Sequence, residues 1–148
     1  MNVFSAVMMF VALAGAPAER PTIIVQAADS PVRLEKATIL SGAEGPPVLL
    51  YQATNKTDDE LEQFTVLAFV FAADGRLKAT QLAPGRRTLD ARGTKYSTMV
   101  LDGSPIEPTD VIVVGVDQAQ RAATEVWWRT DLRPAATAAA AAAQGKKP

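Results

Sequence analysis

The chain has 148 residues, with 15 basic and 16 acidic side chains, no histidine and no cysteine. The near-zero net charge and the lack of a long basic run make nucleic acid an unlikely type of partner and provide little attraction to an anionic membrane surface. The missing side chains exclude disulfides, thiolate nucleophiles, Ser-His-Asp triads and histidine-ligated zinc. These absences leave only carboxylate, lysine, tyrosine or Ser-Lys catalysis, and we expect a protein that is not an enzyme and holds no cofactor.

The N-terminal segment is apolar. Residues 1–18 carry no charged side chain and end in Ala16-Pro17-Ala18, immediately before Glu19. An apolar run followed by small residues at alternate positions is typical of a secretory signal peptide; the alternatives are an uncleaved membrane anchor and a buried N-terminal strand. The sequence predicts a signal peptide over residues 1–18, a mature start at Glu19, and an exported protein that is periplasmic or extracellular.

From Thr22 to Thr130 the chain alternates short apolar runs with turn residues, and no window keeps the apolar stripe of a helix. Short strands at this spacing favour an antiparallel sandwich or barrel of about seven or eight strands. The predicted strands are Thr22–Ala27, Val32–Leu40, Val48–Ala53, Phe64–Ala72, Arg76–Leu82, Lys95–Leu101, Val111–Val116 and Ala123–Arg129. Residues 19–132 are therefore predicted to form one all-β domain, a single antiparallel β-sandwich.

The strand Phe64–Ala72 is apolar at nearly every position, so we expect it to be central and covered on both faces. Asp74-Gly75 after it predicts a tight type I′ hairpin turn. The strand that follows alternates apolar and charged residues, which places it near a sheet edge with Arg76 and Lys78 in water.

The C-terminal segment has a different composition. Residues 133–148 are predicted to be an alanine-rich mobile tail: Pro134 precedes Ala135-Ala136-Thr137, and Ala138–Ala143 is a run of alanines. Alanine favours helix, but a short helix is marginal in water and this segment has no apolar stripe large enough to dock firmly. We expect a partly helical tail whose removal changes the free energy of unfolding by less than about 0.5 kcal/mol.

The pair Trp127-Trp128 is the main candidate for ligand binding. Neighbours on a strand face opposite ways, so at least one ring belongs to the core. Matching the apolar faces of the last two strands predicts an odd-length loop between them, with Trp128 buried opposite Ile112. Trp127 is then expected on the outer face beside Glu125 and Arg129, where an indole surface suits a carbohydrate or a peptide.

A second candidate is a basic loop. Arg86, Arg87 and Arg92 follow Pro84-Gly85 and could receive a phosphate or carboxylate ligand. A solvated basic loop explains them equally well.

Residues Asp58, Asp59, Glu60 and Glu62 form the densest acidic group. They lack the regular spacing of an EF-hand loop, so a solvated turn and no metal site is the preferred interpretation. Just before them, Asn55-Lys56-Thr57 fits the acceptor pattern for N-glycosylation, and an Asx-type turn after the strand is the alternative.

Part of the chain resembles the bacterial FxLYD-type immunoglobulin-like domains. Val48–Asn55 matches a strand that ends in Asn, and Phe69–Arg76 matches an aromatic strand that runs into an Asp-Gly turn, followed by Pro84-Gly85. The resemblance covers roughly residues 46–117 and departs from the family where Ala72 and Ala73 replace its Tyr. It implies an immunoglobulin-like sandwich, commonly exported, with no catalytic residues.

The expected function is therefore a non-catalytic, exported or envelope-associated module that binds another protein. A small-ligand-binding domain that uses Trp127, Glu125 and Arg129 is the alternative. The sequence leaves the partner and the oligomeric state open.

Overall fold

The computed structural model describes residues 18–42, 44–83 and 88–145. Most of the predicted signal peptide and the two arginines Arg86 and Arg87 lie outside these ranges. The described elements are β1 (Ala18–Pro21), β2 (Ile23–Ile24), β3 (Val32–Ser41), β4 (Val48–Asn55), β5 (Leu61–Phe71), β6 (Leu77–Leu82), β7 (Thr94–Val100), β8 (Val111–Arg121), β9 (Trp127–Arg129) and α1 (Arg133–Ala143).

The strands form two packed sheets. The first has the order β1-β3-β4-β7, and the second has the order β2-β8-β5-β6 with β9 beside β8. Apart from the parallel β2–β8 pair, all described neighbours are antiparallel. The predicted all-β sandwich is confirmed.

The first predicted strand, Thr22–Ala27, is wrong in extent. The segment instead crosses from one sheet to the other: β1 pairs with β3 in the first sheet, and β2 pairs with β8 in the second. Thr22 sits at the crossing, where its hydroxyl donates a hydrogen bond of 2.9 Å to the carbonyl of Ala37. Pro21, which cannot donate to a ladder, ends β1 at the sheet edge.

The main core lies between the sheets. Alternation along each strand directs every second side chain inward, and these inward residues are almost fully buried. The first sheet contributes Ile39, Leu49, Tyr51 and Met99, and the second contributes Val66, Val70, Ile112 and Val114.

The central strand β5 is covered on both faces, as its composition predicts. Val66, Ala68 and Val70 enter the core between the sheets. Phe69 and Phe71 point the other way into a second buried cluster under α1. The molecule therefore has a third layer over part of the second sheet.

The C-terminal segment forms that layer, so the expectation that it finds nothing to dock against is wrong. Leu132, Ala136 and Ala140 are buried against Phe69, Phe71 and Val113. Beyond the end of α1, Gln144 Nε2 donates a hydrogen bond of 2.6 Å to the Ala72 carbonyl. Small side chains let the helix backbone lie close to the sheet, so docking here needs no broad stripe of large apolar residues.

Removal of residues 134–148 is accordingly expected to lower the free energy of unfolding by about 1–2 kcal/mol, because it removes the buried Ala136 and Ala140 and exposes Phe69, Phe71 and Val113 to water. The urea midpoints of the truncated and full chains measure the change. A loss below about 0.5 kcal/mol would show that the helix contributes no net stability.

The β5–β6 connection differs from the predicted type I′ turn. The Gly75 N–H bonds to the Ala72 carbonyl at 2.9 Å, and Gly75 has a φ of 89°. Asp74 has no positive φ, so the geometry is a type I turn followed by a left-handed glycine. The strand after it is an edge strand, as predicted, and Arg76 is exposed.

Lys78 on that edge strand is not in water, contrary to the prediction. Its Nζ lies 2.6 Å from Asp110 Oδ2, and the two side chains are only 14% and 1% exposed. Nζ also donates to the Pro105 carbonyl at 2.8 Å, and Asp110 Oδ2 accepts from the Glu107 N–H at 2.8 Å. The pair fixes the β7–β8 connection against β6.

Candidate binding surfaces

The last hairpin has an even-length turn, so the predicted odd loop is wrong. Trp128 lies opposite Ala119 rather than Ile112, and the Arg121 N–H bonds to the Val126 carbonyl at 3.2 Å. The turn Ala122–Glu125 contains no glycine, and Ala123 takes the left-handed conformation with a φ of 57°. The error arises because β8 runs on to Arg121, five residues beyond its predicted end at Val116.

The two indole rings face opposite sides of the second sheet. Trp128 packs against the core between the sheets, but it is only partly buried, whereas the prediction was that it is buried. Trp127 lies on the outer side, with the Arg129 guanidinium 5.1 Å from its ring centroid. Both rings are half-buried, and Glu125 is exposed in the turn. The Arg129 guanidinium therefore lies over the Trp127 ring, which was expected to be an open stacking surface for a ligand.

Polar side chains that the sequence did not single out surround Trp127. Gln120 is its cross-strand neighbour, and Gln63 Nε2 donates to Gln120 Oε1 at 2.7 Å. Gln118 Nε2 likewise donates to Thr65 Oγ1 at 3.0 Å. The alternation Gln118-Ala119-Gln120, with the apolar residue between two amides, was the signal for these outward amides.

Asp117 lies at the irregularity between β8 and β5, where the register shifts. Burial raises the pKa of its carboxyl group, and backbone hydrogen bonds and the charge of Arg129 lower it by less.

A concave site lies beside Trp128 rather than Trp127. Its cavity is about 180 Å³, and we call it the end pocket. Seven residues line it: Pro31, Thr57, Leu61, Ala119, Arg121, Val126 and Trp128. They come from the β2–β3 loop, the β4–β5 connection with the first residue of β5, the end of β8, and the β8–β9 turn with β9, all at one end of the sandwich.

The acidic loop beside the end pocket is engaged in ion pairs. Asp58 Oδ1 accepts from Arg92 Nε at 2.8 Å, and this hydrogen bond lowers the pKa of Asp58. Asp59 Oδ2 lies 2.6 Å from Arg121 Nη2. Within the described residues, no group of three or more acidic side chains converges in a way that could hold a metal ion.

The predicted anion site falls largely outside the described residues, because Arg86 and Arg87 do. Arg92 is described and already has a carboxylate partner in Asp58. Lys95, in the same region, donates to the Thr88 carbonyl at 2.8 Å. The described part of the loop therefore presents no cluster of cations ready for an anion.

Asn55 forms the Asx-type turn and is fully buried. Its Nδ2 donates to the carbonyls of Asp59 and Asp90 at 2.7 and 3.1 Å, and its Oδ1 accepts from the Thr57 N–H at 2.9 Å. In the folded chain this amide is not accessible for glycosylation.

The outer surface of the first sheet is not covered by any described element, and we call it the open face. Because Ile39, Leu49 and Met99 point into the core, their chain neighbours point outward. The apolar residues of the open face are Leu40, Val48, Leu50, Tyr96 and Val100, of which Tyr96 is 67% and Val100 47% exposed. Thr38 and Thr98 lie on either side of Leu50 on the same face, and Gln52 lies beside Tyr96. Leu40, Val48 and Val100 lie side by side across three strands.

Comparison of this chain with family models, curated proteins and solved structures finds no match. Among the residues that the structure describes, no helix is both long enough and apolar enough to cross a membrane.

Proposed function

We propose that this protein is a non-catalytic, exported module that binds another protein through the open face. The observation that carries the proposal is the unequal covering of the two sheets. The helix α1 covers Phe69, Phe71 and Val113 on the second sheet, while Tyr96 and Val100 on the first are left exposed. Exposed apolar residues grouped on an uncovered sheet face, here Leu40, Val48 and Val100 side by side with Leu50 and Tyr96 nearby, favour a protein-interaction surface.

Export is supported by the apolar segment before Glu19 and by its small residues Ala16 and Ala18. An immunoglobulin-like class is supported by the strand order, in which the chain passes from β4 to β5 and from β7 to β8 between sheets. The resemblance to FxLYD-type domains over residues 46–117 points to the same class.

Small-ligand binding is the second candidate, and the end pocket favours it. The pocket is lined by Trp128 and Arg121, whereas the sequence pointed to Trp127, Glu125 and Arg129.

Capture of partners from the envelope fraction tests the open face. We expect the immobilised protein to retain a reproducible partner that the double variant Tyr96→Ser/Val100→Ser loses. Leu82→Ser is the matched control, because Leu82 is an exposed apolar residue on β6 that belongs neither to the open face nor to the lining of the end pocket. Equal capture by both variants would contradict a role for the open face, and no specific capture by the unaltered protein would contradict the function itself.

A further inference from the structure

The outward residues of the open face lie in rows that cross β3, β4 and β7. Cross-strand partners share one face of a sheet, so each outward residue of β4 has a neighbour from β3 on one side and a neighbour from β7 on the other. The first two rows, in the order β3, β4, β7, are Leu40, Val48 and Val100, and then Thr38, Leu50 and Thr98. In both rows the two strands that flank β4 therefore carry the same kind of side chain.

The third row has complementary side chains on the two flanking strands. It contains Lys36 on β3, Gln52 on β4 and Tyr96 on β7. Lys36 is exposed and has no ion pair within the described part of the chain, and Tyr96 is 67% exposed. A lysine ammonium group is attracted to the face of an aromatic ring. A facing surface with the strand order reversed would therefore provide each of these two side chains with a partner.

The other charges of the open face lie on β3 and β1 alone. Arg33 belongs to the fourth row, beside Thr54, and its guanidinium is paired with Glu35 at 2.6 Å. Glu19 lies on β1, beyond β3 at the edge of the sheet. The four rows have no charged residue on β4 or β7. If a second open face has β7 opposite β3, no charge in these rows lies against a like charge.

The middle strand β4 suits a twofold axis. In a twofold-symmetric contact each residue on the axis faces its own copy, so a charge there would meet a like charge. The outward residues of β4 are all uncharged: Val48, Leu50, Gln52 and Thr54. An axis along β4 also places β3 of one copy over β7 of the other, and it permits the crossing angle of about 30° at which two sheets pack face to face.

We propose that the open face binds a second copy of this chain, face to face about a twofold axis along β4. This inference rests on the proposed function, because it names the partner of the same surface. The contact covers three strands about 4.8 Å apart and four rows about 7 Å apart, which is less than the roughly 800 Å² per partner of a standard interface. We therefore expect a reversible dimer with a dissociation constant of about 10 to 100 µM.

Sedimentation equilibrium of the protein at about 5 and about 500 µM tests the association directly. We expect mainly monomer at the lower concentration and mainly dimer at the higher one. Lys36→Glu should weaken the dimer at least threefold, because an acidic group would then lie against the Tyr96 ring of the second copy. This exposed position keeps the test independent of any change in folding.

A pair of variants at Leu50 tests the position of the axis. Leu50→Lys and Leu50→Glu should each be monomeric at the higher concentration, because like charges would meet across the axis. Their equimolar mixture should form dimers again, because a lysine would then face a glutamate. Leu82→Lys is the matched control: Leu82 is 52% exposed on β6, outside the open face, and the dimer should persist. Urea midpoints establish that each variant is folded.

Three results would each overturn the dimer: a monomer at the higher concentration, an unchanged dimer in Lys36→Glu, or a mixture of folded Leu50 variants that stays monomeric. In any of these cases, capture of an envelope protein that Tyr96→Ser/Val100→Ser loses would still support the proposed function. Absence of specific capture would contradict that function whatever the oligomeric state, so the two failures are distinguishable.

Discussion

Replacement of Lys78 by methionine is expected to lower the free energy of unfolding by about 3–5 kcal/mol, because it leaves the Asp110 carboxylate buried without its cation. Asp110 is 1% exposed, and Lys78 Nζ lies 2.6 Å from its Oδ2. In Lys78→Met the carboxylate would keep the hydrogen bond from the Glu107 N–H to Oδ2, but Oδ1 has no hydrogen-bond partner in the described residues and the paired cation is lost. Methionine keeps an unbranched apolar side chain of similar length and lacks the ammonium group.

The urea midpoint measures this loss, and two further variants interpret it. Arg33→Met removes the cation of the Arg33–Glu35 pair, which has the same 2.6 Å separation but a half-exposed arginine, and should cost less than about 1 kcal/mol. Lys78→Met/Asp110→Asn should recover part of the loss, because an amide oxygen can still accept from the Glu107 N–H. If Lys78→Met costs no more than Arg33→Met, the buried pair contributes nothing beyond an ordinary surface pair.

The second large effect is expected at Gly115 in β8. A Cβ at this position would lie 2.7 Å from the Val25 carbonyl oxygen and 2.7 Å from Leu132 Cδ1. The leucine can rotate, but the Val25 backbone is held, since its N–H bonds to the Val114 carbonyl at 2.9 Å. Gly115→Ala is therefore expected to lower the free energy of unfolding by about 3 kcal/mol.

Gly42→Ala is the matched control, because the nearest atom to its added Cβ is 3.8 Å away. Its stability should change by less than about 0.5 kcal/mol. Hydrogen exchange of the α1 amides adds a local measurement: exchange should accelerate in Gly115→Ala, since Leu132 begins the docked segment. If Gly115→Ala and Gly42→Ala had the same urea midpoint, the short contacts of a Cβ at position 115 with Val25 and Leu132 would be relieved without loss of stability.

The strands were predictable from sequence wherever burial alone determines the pattern. The uninterrupted apolar run of β5 requires cover on both faces, and it has cover on both. The helix α1 that covers β5 on one face was not predictable, because alanines such as Ala136 and Ala140 bury little area and their pattern indicates a solvated segment. Their docking depends on the absence of a side chain at Gly115, in a strand that lies apart from them in the sequence.

Three features depend on contacts that the local sequence does not indicate: the Lys78–Asp110 pair, the register of Trp128 and the end pocket. Lys78 and Asp110 are 32 residues apart, and a lysine on a charged edge strand is ordinarily solvated. The register of Trp128 was missed because the outward glutamines of β8 resemble a loop, although they bond to Thr65 and Gln63 across the sheet. The end pocket joins four separate segments of chain, so only the folded arrangement shows it.

Because the side chain of Asn55 is buried, the choice of expression host affects whether every chain can fold. An oligosaccharyltransferase acts on the extended nascent chain, before Nδ2 has reached the carbonyls of Asp59 and Asp90. A glycan attached at that stage would have to occupy a fully buried position and would displace the bonds that close the β4–β5 connection. In a eukaryotic secretory pathway, unmodified chains would fold, and glycosylated chains would be unable to form the β4–β5 connection. A bacterial host without this enzyme would yield a uniform product.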